Sequence, residues 1–351
     1  MRFDHRVRQW VFATAASALL CIAGCGVNSS SGSNPQCSET ASSKSALEVT
    51  AFGSNPGNLR MHTYVPADMP ADAPLVVALH GCTQTAAAYA NAGWNDLADE
   101  WKFYVVYPET TALGSCFKWF EASHTRRDSG EAHSVKQMVD WMMAKHDIDP
   151  ERVFVTGLSA GGAMASVLLA AYPDVFSAGA IMAGIPYGCA DTQANIGVCM
   201  TGRDQTPGAW GELVRAARPN GAAFPRVSIW HGSGDYVVGY PNMRELVDQW
   251  TDVHGLSTTA TSTEEIGKAT HSSFKNAAGQ TLVESWSIAG MGHGTAVDPG
   301  FAAAGGCGTA GAFVLDVNLC STYHAGLFFG LDGKGNGGTG NEPDPDGNPC
   351  P

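Results

Sequence analysis

The 351-residue chain carries 33 acidic against 20 basic side chains, a formal charge of −13, and 44% of its residues are apolar. An acidic surface of this strength disfavours phosphate backbones and anionic headgroups, which sets aside nucleic acid and anionic membrane surfaces as partners. The composition suits one large globular domain rather than two, and no repeat of solenoid period is visible.

The chain begins with Arg2, Arg6 and Arg8 against Asp4, followed by an apolar run from Val11 to Gly24. That run is too short to span a membrane as a stable helix and suits a cleavable signal segment over residues 1–24. It ends Ile22-Ala23-Gly24-Cys25, which resembles a bacterial lipobox, with Cys25 as the cleaved and lipidated residue; ordinary signal cleavage nearby is the alternative. Gly26 rather than Asp follows, so a lipidated chain is expected at the outer membrane. Residues 25–45 are rich in Ser, Gly and Asn and read as a flexible tether. Without residues 1–24, which hold three Arg and one Asp, the charge is −15.

Leu75 to Leu79 is five apolar residues in a row, as in a strand buried on both faces of a parallel sheet. The turn His80-Gly81-Cys82 follows, of the kind that supplies the second oxyanion N–H in lipases and esterases; a half-cystine at Cys82 is compatible with that role. A second strand reads over 103–107, and the aromatic cluster Phe117, Trp119, Phe120 follows Cys116. Trp119 is the candidate substrate contact there, with plain core packing as its alternative. A helix reads over 132–146, with Val135, Met138, Val139 and Met142 on one face.

Residues 152–156 form the next strand-like run and lead into Gly157-Leu158-Ser159-Ala160-Gly161, after which Met164 to Ala171 reads as helix. In this strand–turn–helix setting a G-x-S-x-G serine becomes an exposed nucleophile, and the amide of Ala160 at the helix start is placed to bind an oxyanion. A structural turn is the bland alternative. Further strands read over 178–182, 227–231 and 281–288. Asp235 follows the fifth run in a glycine turn, and His293 follows the sixth in Gly290-Met291-Gly292-His293-Gly294. The order Ser159, Asp235, His293, each after a strand, is that of a hydrolase triad. The other histidines lose on position: His133, His146 and His254 fall on or near helices, His271 in a polar loop, His324 after the last close cysteine pair, and His231 as a buried neighbour of the acid. Strands alternating with helices predict an α/β fold with a mostly parallel sheet covered on both faces.

Leu79-His80-Gly81-Cys82-Thr83-Gln84, the stretch Arg127 to Ala132, Met138 to Met142, Asp149 to Gly162 and Ser321-Thr322-Tyr323-His324 together resemble the extracellular poly(3-hydroxybutyrate) depolymerase family of the α/β-hydrolase superfamily. Similar sequences include feruloyl and acetylxylan esterases. The resemblance runs from about residue 46 to 331 and is to the architecture in which the oxyanion loop precedes the serine box. It implies a serine carboxylic-ester hydrolase, with Ser159, Asp235 and His293 as triad and Cys82 as oxyanion donor, requiring no metal and no cofactor. Two features depart from the pattern. Asp128 stands where relatives commonly have Gly, so a different local turn is expected. Only about 20 residues follow Gly330, where secreted depolymerases usually carry a linker and a polymer-binding domain. Oligomers or esterified polysaccharide therefore compete with granular polymer as the substrate, and the enzyme is expected to act as a monomer. A non-catalytic binding protein on the same scaffold is the rival reading, but such proteins typically lose a triad member or the oxyanion glycine, and neither is lost here.

Ten cysteines, less Cys21 in the leader and Cys25, leave eight, an even number that fits an exported, oxidised domain. Spacing leaves 105 pairings open. The preferred set is Cys82–Cys116, Cys189–Cys199, Cys307–Cys320 and Cys37–Cys350, and no spacing resembles a zinc site. In the tail, residues 332–351, a lone D-x-D-G has too few ligands for calcium. Cys25→Ser is expected to move the exported protein from the membrane to the soluble fraction. Mass analysis of the mature N-terminus checks this, and an unmodified terminus away from Cys25 contradicts it.

Overall fold

Six of the strands coincide with the six apolar runs of the sequence, and they are the six that lie parallel in the main sheet. The computed structural model describes residues 46–219, 221–301 and 307–333, so the leader, Cys25, Cys37, Cys350 and the tail after Gly333 lie outside the described residues. The main sheet contains β1 (Leu47–Val49), β2 (Leu59–Tyr64), β3 (Ala73–Leu79), β4 (Tyr104–Thr110), β5 (Ile148–Leu158), β6 (Ala178–Met182), β7 (Arg226–Gly232), β8 (Ser262–Ile266), β9 (Ala269–Lys275) and β10 (Thr281–Ile288). Their spatial order is β1-β2-β4-β3-β5-β6-β7-β10-β9-β8. From β4 to β10 every neighbour is parallel, while β1 and β2 on one margin and β9 and β8 on the other are antiparallel. A separate parallel pair joins β11 (Thr295–Val297) to β12 (Val314–Asp316).

The helices are α1 (Ala86–Ala90), α2 (Trp94–Trp101), α3 (Ala122–Thr125), α4 (Gly130–Lys145), α5 (Ala160–Ala171), α6 (Ile196–Thr201), α7 (Pro207–Ala217), α8 (Pro241–Val253) and α9 (Ser321–Phe329). Because strand side chains alternate, Leu75, Val77 and Leu79 of β3 enter one hydrophobic cluster and Val76 and Ala78 the other. The first cluster takes the buried faces of α4, α5, α7 and α8, including Val135, Met138, Leu168 and Trp250. The second takes α1, α2 and α9 through residues such as Tyr89, Trp94 and Phe329. Both faces of the parallel sheet are covered, which is why its strands read as unbroken apolar runs. Asp128 adopts φ +60°, the left-handed conformation a glycine would supply, which Asp tolerates better than most residues. The chain turns there as a glycine would allow, and the Asp128 N–H donates to the Tyr172 hydroxyl at 2.7 Å.

Three disulfides, Cys82–Cys116, Cys189–Cys199 and Cys307–Cys320, lie within the described residues. The expectation that His271 lies in a loop is corrected: it sits in β9, an antiparallel margin strand whose polar sequence hides it from an apolar-run reading. His254 is no solvated helix residue either; it is part-buried at the end of α8, with Nε2 3.0 Å from the Pro225 carbonyl.

His271 belongs to a separate polar cluster on β8, β9 and β10. Its Nδ1 lies 2.9 Å from Glu264 and its Nε2 3.0 Å from Glu284, and its ring stacks on Trp286 at 4.1 Å, which stacks in turn on Trp230 at 4.4 Å. Burial opposes the imidazolium, but Glu284 and Glu264 outweigh it and raise the pKa of His271. Nearby His324, almost fully buried, is pushed the other way, to about 4. A raised folded-state pKa means the stabilisation is complete below the unfolded value, about 6.5, and is lost as pH rises through the folded one. His271→Gln should therefore destabilise most at pH 6. The gap to wild type in urea midpoint is expected to narrow toward pH 9; a gap independent of pH contradicts the charged state.

Candidate active site

The turn from β5 into α5 is tight. Ser159 takes φ 58° and ψ −118°, a conformation costly for a residue with a Cβ and characteristic of a strained functional turn. It is held by the Ser159 N–H donating 2.9 Å to the Met182 carbonyl at the end of β6. A Cβ on Gly161 would strike the carbonyls of Leu79 and His80, and one on Gly157 would strike the Gly161 carbonyl. The glycines thus admit the start of α5 directly against the end of β3. The Ala160 amide is the first of the helix and has no intrahelical acceptor.

β7 and β10 are parallel neighbours, pairing to Gly232 and Ile288, so their following loops emerge side by side. Three hydrogen bonds lace those loops: Ser233 N–H to Ile288 O at 2.9 Å, Gly234 N–H to Met291 O at 2.9 Å, and Gly290 N–H to Ser233 Oγ at 2.9 Å. Asp235 and His293 meet there, His293 Nδ1–H donating to Asp235 Oδ2 at 2.7 Å. The Asp235 carboxylate is sealed from solvent, and its Oδ1 accepts the Val237 and Val238 N–H groups at 2.9 and 3.0 Å. Burial alone would raise its pKa; hydrogen bonds from His231, His293 and Val237 override this and hold it well below the usual carboxylate range. His231 is fully buried beside it, with Nε2 2.8 Å from Val238 O and 3.4 Å from Asp235 Oδ2. With Nδ1 committed to Asp235, the Nε2 lone pair of His293 is left to take a proton. Ser159 Oγ makes no hydrogen bond among the described residues; such bonds commonly tighten only when substrate is bound.

The candidate oxyanion loop follows β3. Of the four amides 81–84, Gly81 donates to Gln84 Oε1 at 2.8 Å, Thr83 to Gly114 O at 2.8 Å and Gln84 to Gly81 O at 3.2 Å. The Cys82 amide alone has no acceptor among the described residues. The Cys82 sulfur is bonded to Cys116, so the side chain braces the loop while the amide stays free. His80, fully buried, puts Nδ1 2.7 Å from the Gly81 carbonyl and accepts the Thr110 N–H at Nε2, 3.3 Å, which defines a neutral ring; burial lowers its pKa.

Trp119 is 8% exposed and packs edge-on to Phe120 within the cluster that also contains Ala160 and Ala163, so most of its ring serves core packing. Two participants had no role in the sequence reading. Glu131, at the start of α4, accepts the Lys118 N–H beside Trp119 at 2.6 Å, and burial pushes its pKa up to about 7. Gln84 links the oxyanion loop to Ala312 O at 3.0 Å. The only sequence signal for either was membership of a recognisable motif, since a buried Gln or Glu looks like a surface residue until its partners are known.

Comparison with known proteins bears on the family and the fold. The family described as Esterase PHB depolymerase matches residues 59–272. Poly(3-hydroxyalkanoate) depolymerase C of Paucimonas lemoignei is 53% identical over 292 residues, covering 82% of this chain and 70% of that protein. The chain belongs to the PHB depolymerase esterase family. An acetylxylan esterase of Coprinopsis cinerea is 37% identical over 257 residues, 70% of this chain and 68% of that protein. Among solved structures, the acetyl xylan esterase from Aspergillus awamori superposes with a TM-score of 0.70 at 26% identity, covering 82% of this chain and 99% of that one. This PHB depolymerase-family chain is accordingly a carboxylic-ester hydrolase with the α/β-hydrolase fold.

Asp235→Asn is expected to preserve the fold but cut kcat by about 10⁴, because the amide favours the wrong tautomer of His293. Steady-state kinetics on a chromogenic ester check this, and a loss below tenfold contradicts the assigned role.

Proposed function

We propose that Ser159, His293 and Asp235 form the catalytic triad and that the enzyme hydrolyses poly(3-hydroxybutyrate) or its oligomers. The observation that carries the substrate assignment is the 53% identity to a poly(3-hydroxyalkanoate) depolymerase across 82% of the chain. The reaction needs only this chain and water. His293 Nε2 takes the proton as Ser159 Oγ attacks the ester carbonyl, and the Asp235 carboxylate orients and stabilises the imidazolium. The amides of Cys82 and Ala160 receive the oxyanion, which in a dry site is worth far more than in water. As the tetrahedral intermediate collapses, the C–O bond to the alcohol breaks and His293 returns its proton to the departing oxygen. A water, deprotonated by His293, then attacks the acyl-serine, releasing the acid and restoring Ser159.

A cleft of about 170 Å³ lies between the loop after Cys82 and the 311–314 loop, lined by Thr83, Gln84, Thr85 and Phe313, and the Phe313 ring lies 5.9 Å from that of His293. Trp119 offers only its exposed edge to substrate. A second reading, an acetyl or feruloyl ester of plant polysaccharide, is favoured by the likeness to the acetyl xylan esterase, which the superposition covers almost entirely.

Residues 46–331 are the proposed catalytic unit. The three disulfides support its maturation in an oxidising compartment, and the lipobox-like run places the proposed lipid anchor at Cys25. Hydroxybutyrate oligomers, methyl ferulate and acetylated xylan assayed side by side test the substrate. The oligomers are expected to give the highest kcat/KM, and preference for either plant ester refutes the polyester reading. Ser159→Ala should abolish hydrolysis of all three and labelling by a fluorophosphonate; turnover like wild type would remove Ser159 from the mechanism.

A further inference from the structure

Gln84 has no part in the reaction written above, yet it is 4% exposed and every polar group of its side chain is engaged. Oε1 accepts the Gly81 N–H at 2.8 Å, Nε2 donates to the Ala312 carbonyl at 3.0 Å, and its backbone N–H donates to Gly81 O at 3.2 Å. The Gly81 carbonyl also takes His80 Nδ1–H at 2.7 Å. A planar trans peptide points its N–H opposite its C=O, so the Gly81 carbonyl, held by the Gln84 backbone N–H and His80, sets the direction of the Cys82 amide, while the Gln84 side chain pins the same glycine from its N–H side. At its other end Gln84 grips a loop packed on the candidate base. Phe313 sets its ring edge-on to His293 at 5.9 Å, and its carbonyl accepts the Thr295 N–H at 2.9 Å, two residues after His293. The Cys307–Cys320 disulfide closes that loop.

We propose that Gln84 is a positioning residue: its side-chain amide joins the oxyanion loop to the 311–314 loop and sets the Cys82 N–H relative to His293, so that hole and base address the same carbonyl. The proposal rests on the triad and oxyanion assignments above. Gln84 touches no reacting atom; it acts through Gly81 and Ala312, whose polar groups would be left without these partners if it were apolar.

Gln84→Met keeps the volume and removes both side-chain hydrogen bonds. With p-nitrophenyl butyrate, kcat is expected to fall about ten- to a hundredfold with KM within twofold, the scale of a misplaced rather than a deleted oxyanion donor. Affinity for butylboronic acid, whose serine adduct mimics the tetrahedral intermediate, should weaken by the same factor, while inhibition by 3-hydroxybutyrate stays unchanged. Gln84→Glu, which keeps an acceptor for Gly81 but turns a carboxylate oxygen toward the Ala312 carbonyl, should also lower kcat and boronate affinity. A folded Met variant with wild-type kcat, a loss confined to KM, or unchanged boronate affinity overturns the role. If the Met variant does not fold, unchanged boronate affinity in the Glu variant overturns it equally. A wild-type enzyme insensitive to the boronate instead removes the serine mechanism, and this proposal with it.

Discussion

The contact on which the rest of the site depends is between backbones, not side chains. Helix α5 begins so close to the end of β3 that no Cβ fits at Gly161 between them. That approach brings the Ala160 amide and the loop carrying the Cys82 amide to one place, and it forces Ser159 into its strained turn. A methyl group at Gly161 would have to push the helix from the sheet and separate the two candidate donors. The low tolerance for error explains the surrounding reinforcement: a disulfide at Cys82, a buried imidazole at Gly81 and the glutamine link across to Ala312. Together they restrict motion where about 1 Å decides the rate.

The candidate acid and base, Asp235 and His293, are organised differently. Here a polar network, not close backbone approach, does the positioning. Asp235 remains an anion out of contact with solvent because two amides and two histidine nitrogens surround it. Removing one partner from such a cluster leaves a buried charge short of a donor, which is more damaging than the loss of a hydrogen bond at the surface. The loops after β7 and β10 are laced before either residue is reached, so the pair inherits its geometry from the parallel sheet.

What was legible in the sequence follows from that division. The six parallel strands are buried on both faces and announce themselves as apolar runs, and the motif residues Ser159, Asp235 and His293 follow three of them. Short-range cysteine pairs at Cys189–Cys199 and Cys307–Cys320 could be preferred on proximity alone. The margins were not legible: β2, β8 and β9 have polar or mixed sequences, and β9 reads as a loop because only its pairing with β10 makes it a strand. Gln84 and Glu131 were equally hidden, since their burial comes from partners 228 and 13 residues away respectively. Asp128 looked like a departure because residue identity was compared, whereas the turn depends on φ, which Asp can supply.

The outer margin strand β8 has the sequence Ser262-Thr263-Glu264-Glu265-Ile266. An uncovered strand edge is a template onto which another chain can add. Glu264 and Glu265 already answer to His271 and Thr270 of the neighbouring strand, so their carboxylates are held at the edge instead of swinging away. A second molecule docking there strand to strand would bring its own two carboxylates against them, and that like-charge repulsion opposes edge-to-edge pairing beside a long apolar parallel core.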